Sequence, residues 1–184
     1  HVLPYRGLWP EIHPDAFIAE TAAVIGDVEI GPGSSIWYGC VLRGDVNKIR
    51  VGAGTNLQDG TIVHGNHDRN GDYRETGGGM ATIIGDGVIV GHRALIHACT
   101  VEDGAFIGMG ATVMDKARLE SRSMVAAGAL VTPGKTVAGG QLWGGSPARF
   151  MRELKEAELA DFVYQAGHYE KLARIYLAER AEQG

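Results

Sequence analysis

The chain has 184 residues, a formal net charge of −5 and a pI near 5.8, which leaves no basic footprint for nucleic acid. That length suits one well-formed core, and no run of eighteen apolar residues marks a membrane span. Two cysteines, Cys40 and Cys99, are too few for a disulfide framework; they read as buried structural thiols in a reducing, cytoplasmic setting.

Residues 1–17 hold three prolines and read as an irregular lead-in with one short strand, serving as an N-terminal cap. From Ile18 an apolar residue recurs every sixth position: Ile18, Val24, Ile30, Ile36 and Leu42. After a slip of three residues the rhythm resumes at Val51, Leu57 and Val63, and after a loop at Ile84, Val90 and Ile96. One residue is then dropped, and the series runs on through Val101, Ile107, Val113, Leu119, Val125, Val131, Val137 and Trp143. Many units place a small or β-branched residue four positions after the anchor, as at Ala22, Val28, Ser34, Ala94, Ala105, Ala111 and Ala117. Glycine makes up 28 of the 184 residues, about twice its usual share, and is spaced along the chain, as a turn in every repeat requires.

A helix wants apolar residues at i, i+3, i+4 and i+7, and a half-buried strand wants alternation. A six-residue period fits neither. It fits short strands that turn a corner every six residues, three to a triangular coil, with coils stacked at the strand spacing of roughly 4.8 Å. The 19 anchors then make about six coils over residues 18–145, with a loop inserted at about 65–82. The loop segment NHDRNGDYRETGGG reads as mobile and solvated. Residues 146–184 form a C-terminal linker and helix. Leu154, Leu159, Phe162, Val163, Ala166, Tyr169, Leu172, Ala173, Tyr176 and Leu177 make an apolar stripe at helical spacing.

Three histidines fall at matching places in the rhythm. Once a 15-residue insertion is removed, Ile96 lies 18 residues after Val63, one full coil later on the same face. His64 and His97 each follow such an anchor by one residue, so they stack on adjacent coils, close enough to share one ion. His92 follows Val90 by two and lies around a corner, pointing away from that pair. It completes the site only when another subunit supplies it, so the spacing predicts a homotrimer with three interfacial sites. Three histidines with an open fourth position is the catalytic zinc pattern, in which a bound water becomes a hydroxide nucleophile near neutral pH. The competing reading is three surface or interface histidines with ordinary hydrogen bonds.

Arg43-Gly44-Asp45, Gln58-Asp59, His64 and Gly91-His92 through His97 together resemble the γ-class carbonic anhydrase family, and the likeness covers nearly the whole chain. That family belongs to the hexapeptide-repeat proteins. The resemblance implies a mainly β fold: a left-handed parallel β-helix with a C-terminal α-helix, assembled as a trimer. It implies that His64, His92 and His97 bind Zn2+, with Fe2+ or Co2+ as alternatives, and that the substrate pair is CO2 and bicarbonate. It also implies an interfacial ion pair between Arg43 and Asp45, and a place for Gln58 beside the metal-bound water. Physically, Arg43 offers a planar fork to a carboxylate or to bicarbonate, and Asp59 can orient a neighbouring ligand.

The sequence departs from the pattern at Val46, where well-characterised members carry an acidic proton-export residue after the Arg-Gly-Asp. His67, Asp68, Asp72 and Glu75 in the loop, and His168 and Tyr169 on the helix, are the candidates to replace it. The residues thus predict a metal-dependent lyase that hydrates CO2, with no organic cofactor, nucleic-acid or membrane partner. Two other readings compete: a hexapeptide acyltransferase using an acyl-CoA, and a non-catalytic metal-binding assembly or scaffold homologue.

Overall fold

The computed structural model describes residues 1–183. Short parallel strands stack in register into a β-helix with three faces. The first face carries Phe17–Ile18, Ser35–Ile36, Asn56–Leu57, Ile89–Val90, Phe106–Ile107, Met124–Val125 and Gln141–Gly144. Residues 41–44 begin the second face, followed by Ile62–His64, Leu95–His97, Thr112–Val113 and Leu130–Val131. The third holds residues 49–51, Thr82–Ile84, Thr100–Val101, Arg118–Leu119 and Thr136–Val137. Two long strands, Ala23–Ile30 and Val41–Val51, run around the corner between the second and third faces and join them into one sheet.

The six-residue anchors line the interior. Of the 19, all but Ile18 and Trp143, at the two ends, are buried. The small residues four places on are buried as well, including Ala22, Ser34, Ala94, Ala105 and Ala111, because a larger side chain would fill the space in which each corner closes. The three-residue slip after Leu42 is a bulge: Gly26 pairs with Gly44 and Val28 with Ile49, so residues 45–48 oppose Asp27 alone. A bulge bends its strand and re-aims the side chains on it. Here it projects Asp45.

The lead-in differs from the expectation of irregular chain with one strand. Val2–Leu3 and Glu11–Ile12 both pair in parallel with Ala23–Ile30, a partial coil that covers an otherwise open sheet edge. Its prolines all stand outside those strands. The inserted loop also differs from the mobile segment the sequence suggests. It contains a one-turn helix, α1 (Tyr73–Thr76), capped by Asp72. Its base is closed by backbone hydrogen bonds between Asn66 and Met80, and Tyr73 donates its hydroxyl to Asp27 across 2.5 Å.

At the far end Arg149–Glu153 adds an antiparallel strand to Gln141–Gly144. The long helix α2 (Glu156–Gln183) then returns along the first face. Phe162 stacks on Phe106, Tyr169 meets Trp37 edge-on at 5.5 Å, and Tyr176 packs on Phe17. Arg180 closes the run with a hydrogen bond to the Ile18 carbonyl and an ion pair to Glu20. Of the predicted stripe, Phe162 and Ala173 are buried and Val163 is exposed; Val163 lies off the arc that faces the sheet.

The α2 helix covers the first face, and the third presents Arg50, Arg118 and Thr136 outward. The second face leaves apolar side chains in the open: Ile62 and Leu95, stacked in register, are 45% and 38% exposed.

Candidate metal centre

Arg43, His64 and His97 occupy one column, in register on three successive coils where the second face meets the third. One ring nitrogen of His64 (Nδ1) lies 3.2 Å from Nε2 of His97. Each ring gives its other nitrogen to a carboxylate: His64 Nε2 to Asp45 Oδ1 at 2.9 Å, and His97 Nδ1 to Asp115 Oδ1 at 2.6 Å. Backbone bonds hold the pair from below. The Thr82 hydroxyl donates to the His64 carbonyl and accepts from the Ala98 amide, at 2.6 and 2.9 Å.

The electrostatics favour an N–H on the aspartate side of each ring. Burial opposes charge on Asp45 and Asp115, but hydrogen bonds from His64 and Arg43 to the first, and from His97 and Asn66 to the second, outweigh it and hold both carboxyls below their usual range. Burial lowers the His64 pKa against the opposing pull of Asp45, with the Arg43 charge adding to the lowering. Ionised carboxylates only accept hydrogen bonds. Each histidine therefore points an N–H at an aspartate and its other ring nitrogen at the other histidine. Two lone pairs 3.2 Å apart repel unless a proton or a cation stands between them, and carboxylate-held histidines are the usual preparation for a divalent metal. The donor set fits the ion.

His92 stands elsewhere. It lies at the corner between the first and second faces, one coil above Asp59, whose Oδ2 is 2.9 Å from its Nδ1. Its side chain is 41% exposed. Among the described residues, no group of three His, Cys, Asp or Glu side chains gathers within one chain. His64 and His97 thus form one half-site and His92 with Asp59 another, on opposite edges of the apolar second face.

No protein-family model matches the chain. Gamma carbonic anhydrase 2, a mitochondrial protein of Arabidopsis thaliana, is 51% identical over 173 residues, 94% of this chain and 60% of the relative. Protein YrdA of Escherichia coli is 38% identical over 95% of this chain and 92% of its own length. The crystal structure of a hexapeptide transferase family protein from Anaplasma phagocytophilum superposes with a TM-score of 0.86 at 47% identity, covering 95% of this chain and 97% of that one. The chain belongs to the γ-carbonic anhydrase family of hexapeptide-repeat proteins. It spans about three fifths of the length of the Arabidopsis relatives that head the comparison, 60% and 61%.

The other residues singled out from the sequence divide between the two half-sites. Arg43 pairs with Asp45 within the chain, while much of its guanidinium stays in solvent. Gly44 between them is dictated by space, since a Cβ there would lie 2.4 Å from the Asp27 carbonyl oxygen. Gln58 neighbours Asp59 but is only 6% exposed and donates to Asn56, so its amide lies against the first face. Tyr169 is half-buried against Trp37; burial raises its pKa, and the nearby Asp59 charge raises it further. His168 is exposed on α2 beside Tyr164 and Tyr169. His67 is exposed at a cleft of about 370 Å3 that Asp45, Val46, Asp72 and Tyr73 also line.

Sequence reasoning missed Asp115, the partner of His97, and Asn66, whose amide donates to Asp115 at 2.7 Å. The signal was present. Thr112–Val113 pairs with Leu95–Ile96, so the coil after His97 brings residue 115 to the same corner.

Proposed function

We propose that this protein catalyses the reversible hydration of CO2 to bicarbonate and a proton, at a divalent-metal site made by His64 and His97 of one subunit and His92 of a neighbouring copy in a homotrimer. The observation that carries this reading is the pair of facing imidazole nitrogens 3.2 Å apart, each ring bonded through its other nitrogen to an aspartate on the far side. A Zn2+, Fe2+ or Co2+ ion held there supplies a Lewis acid that lowers the pKa of a water toward neutrality.

The protein's own groups do the rest. Asp45 and Asp115 hold both imidazoles in orientation, each from the ring nitrogen that faces away from the pair. Arg43, with guanidinium N–H groups left over from its pair with Asp45, offers a cationic fork to a planar oxyanion such as bicarbonate. Asp59 lies 2.9 Å from Nδ1 of His92, which leaves Nε2 as the nitrogen free to meet a metal. Gln58 travels with Asp59 and His92, so all three approach a neighbour's His64–His97 pair together. Val46 cannot take a proton, which leaves His67, at the Asp45 cleft, as the group best sited to pass one to solvent. His168 and Tyr169 lie on α2, over the first face.

Self-association is supported by the faces of the β-helix. A closed three-fold ring needs one surface that meets the next copy's different surface, and the exposed Ile62 and Leu95 lie between the two half-sites that must meet. Among the described residues, no helix is long and apolar enough to cross a membrane. The cytoplasmic expectation rests on two unpaired, buried cysteines, whereas the three Arabidopsis relatives are named as mitochondrial.

The second reading, acyl transfer from an acyl-CoA, is favoured by the hexapeptide transferase description of the Anaplasma relative. It needs no metal. The deciding experiment measures CO2 hydration on protein of known metal content, beside His97→Ala. We expect rate and metal to vanish together. Metal bound without hydration under zinc, cobalt and anaerobic iron would leave a non-catalytic metal-site protein, and activity on an acyl-CoA without metal would leave the transferase.

A further inference from the structure

The loop inserted between Ile62–His64 and Thr82–Ile84 does more than cover the corner it leaves. Its first residues lead to Asn66, whose backbone N–H, backbone carbonyl and side-chain N–H are all hydrogen-bonded. The Asn66 amide and carbonyl pair with Met80 at 2.7 and 2.9 Å, closing the loop base. Asn47, buried in the bulge that projects Asp45, donates to the Asn66 carbonyl at 3.1 Å and to Gly78 at 3.2 Å. The Asn66 side chain then reaches out of the loop, and its Nδ2 donates to Asp115 Oδ2 at 2.7 Å. The other oxygen of the same carboxylate takes the His97 N–H at 2.6 Å.

We infer that Asp115 and Asn66 are positioning residues for His97, and that through them the base of the inserted loop sets the tautomer and aim of that histidine. The inference rests on the reading of His97 as a metal ligand, and adds a dependence that neither residue's distance from the ion reveals. Asp115 alone could rotate about its own side chain. With Asn66 on its second oxygen, it has one orientation, and that orientation sends the His97 proton to Nδ1 and its lone pair toward His64. Asn47 links the same loop base to the bulge that carries Asp45, so one scaffold of amides supports both carboxylates. Loss of an outer-shell partner of this kind costs a metal-binding histidine about 10–100-fold in affinity.

The test uses the full-length protein and two readouts. The first is the His97 tautomer in metal-free protein, read from imidazole nitrogen chemical shifts. The second is zinc affinity, by competition with a chromophoric chelator. In the wild type His97 carries its proton on Nδ1. Asp115→Asn shifts it to a mixture or to Nε2 and weakens zinc by about 10–100-fold. Asn66→Ala keeps the Nδ1 proton but broadens the His97 resonances and weakens zinc less than Asp115→Asn does. Asn66→Ala also serves as the milder variant should Asp115→Asn fold poorly, since a secondary-structure spectrum matching wild type is required of each. An unchanged tautomer in Asp115→Asn, or zinc affinity within about twofold of wild type in both variants, overturns the relay. If wild-type protein takes up no zinc at all, the metal reading fails, and the tautomer readout still decides whether Asp115 orients His97.

Discussion

His64 and His97 stand in register on adjacent coils with one nitrogen of each 3.2 Å apart, and an aspartate occupies the far nitrogen of both rings. A stack of this kind is what a parallel β-helix does well. Each coil repeats the last, so a residue type placed once per coil becomes a column. The same regularity keeps His92 away, because two residues past an anchor on the first face is a different corner from one residue past an anchor on the second.

That separation yields a complementation experiment. His92→Ala chains keep the His64–His97 pair, and His64→Ala chains keep His92. Each variant alone should bind no metal at the proposed site. Mixed and reassembled, they should regain it at about a quarter of the interfaces, the fraction in which an intact pair faces an intact His92 in a random ring. Metal content of the reassembled trimers measures this. A monomeric mass, or full metal in His92→Ala alone, would sink the shared site.

The pH dependence follows from the charges around the pair. Burial, with Arg43, depresses the His64 pKa in the fold. In the unfolded chain His64 titrates near 6.5. Its contribution to the stability of metal-free protein is therefore full above about 6.5 and is lost as pH falls from there through the depressed folded value. Asp45 and Asp115 are depressed as well, so their contributions persist above about 3.9 and go as pH falls through their own folded values. Urea midpoints between pH 8 and pH 3 should decline in two stages. His64→Gln should flatten the upper stage and leave a lower one; an unchanged upper stage would mean His64 is charged in the fold.

Much of this was legible in the sequence, and the reason is arithmetic. An anchor every six residues fixes which side chains enter the core, and 18 residues fix what stacks on what, so the His64–His97 pair needed no structure to find. Two things resisted. The prolines of the lead-in masked the pairing of Val2–Leu3 and Glu11–Ile12 with Ala23–Ile30, because strand partners on a partial coil show no repeat of their own. The loop looked solvated because its composition is polar, yet Asn47, Asn66 and Tyr73 spend that polarity on internal hydrogen bonds. Asp115 lies 18 residues after His97, within the same count, but a single aspartate at an open corner has no repeat of its own to mark it.

Gly44 tests how tightly the Arg-Gly-Asp turn is built. A Cβ at this position meets the Asp27 carbonyl oxygen at 2.4 Å and its carbon at 2.8 Å. Backbone cannot swing aside as a flexible side chain can. Gly44→Ala should therefore part the first two coils locally, cost about 1–3 kcal/mol of stability as overpacking does, and displace Arg43 and Asp45 together. Chemical denaturation gives the first quantity and zinc affinity the second. A loss of stability with zinc affinity intact would show that Asp45 is not needed to hold His64.

The two thiols should be silent while the fold lasts. Burial pushes Cys40 up to about 11, against backbone hydrogen bonds that pull it down, and pushes Cys99 up to about 12. Neither is thiolate at pH 8, and reagents that attack thiols need the thiolate. Both side chains lie among buried residues of the core, Cys40 with its sulfur against the carbonyls of Leu57 and Gln58. A disulfide-exchange reagent at pH 8 should label almost nothing in folded protein and two thiols per chain in denaturant. Rapid labelling of native protein would mean that a coil opens at one of these corners, and comparing Cys40→Ala with Cys99→Ala would say which. Opening at Cys99, two residues past His97, would leave zinc-loaded protein slower to react than metal-free protein, since an ion bridging His64 and His97 ties those two coils together.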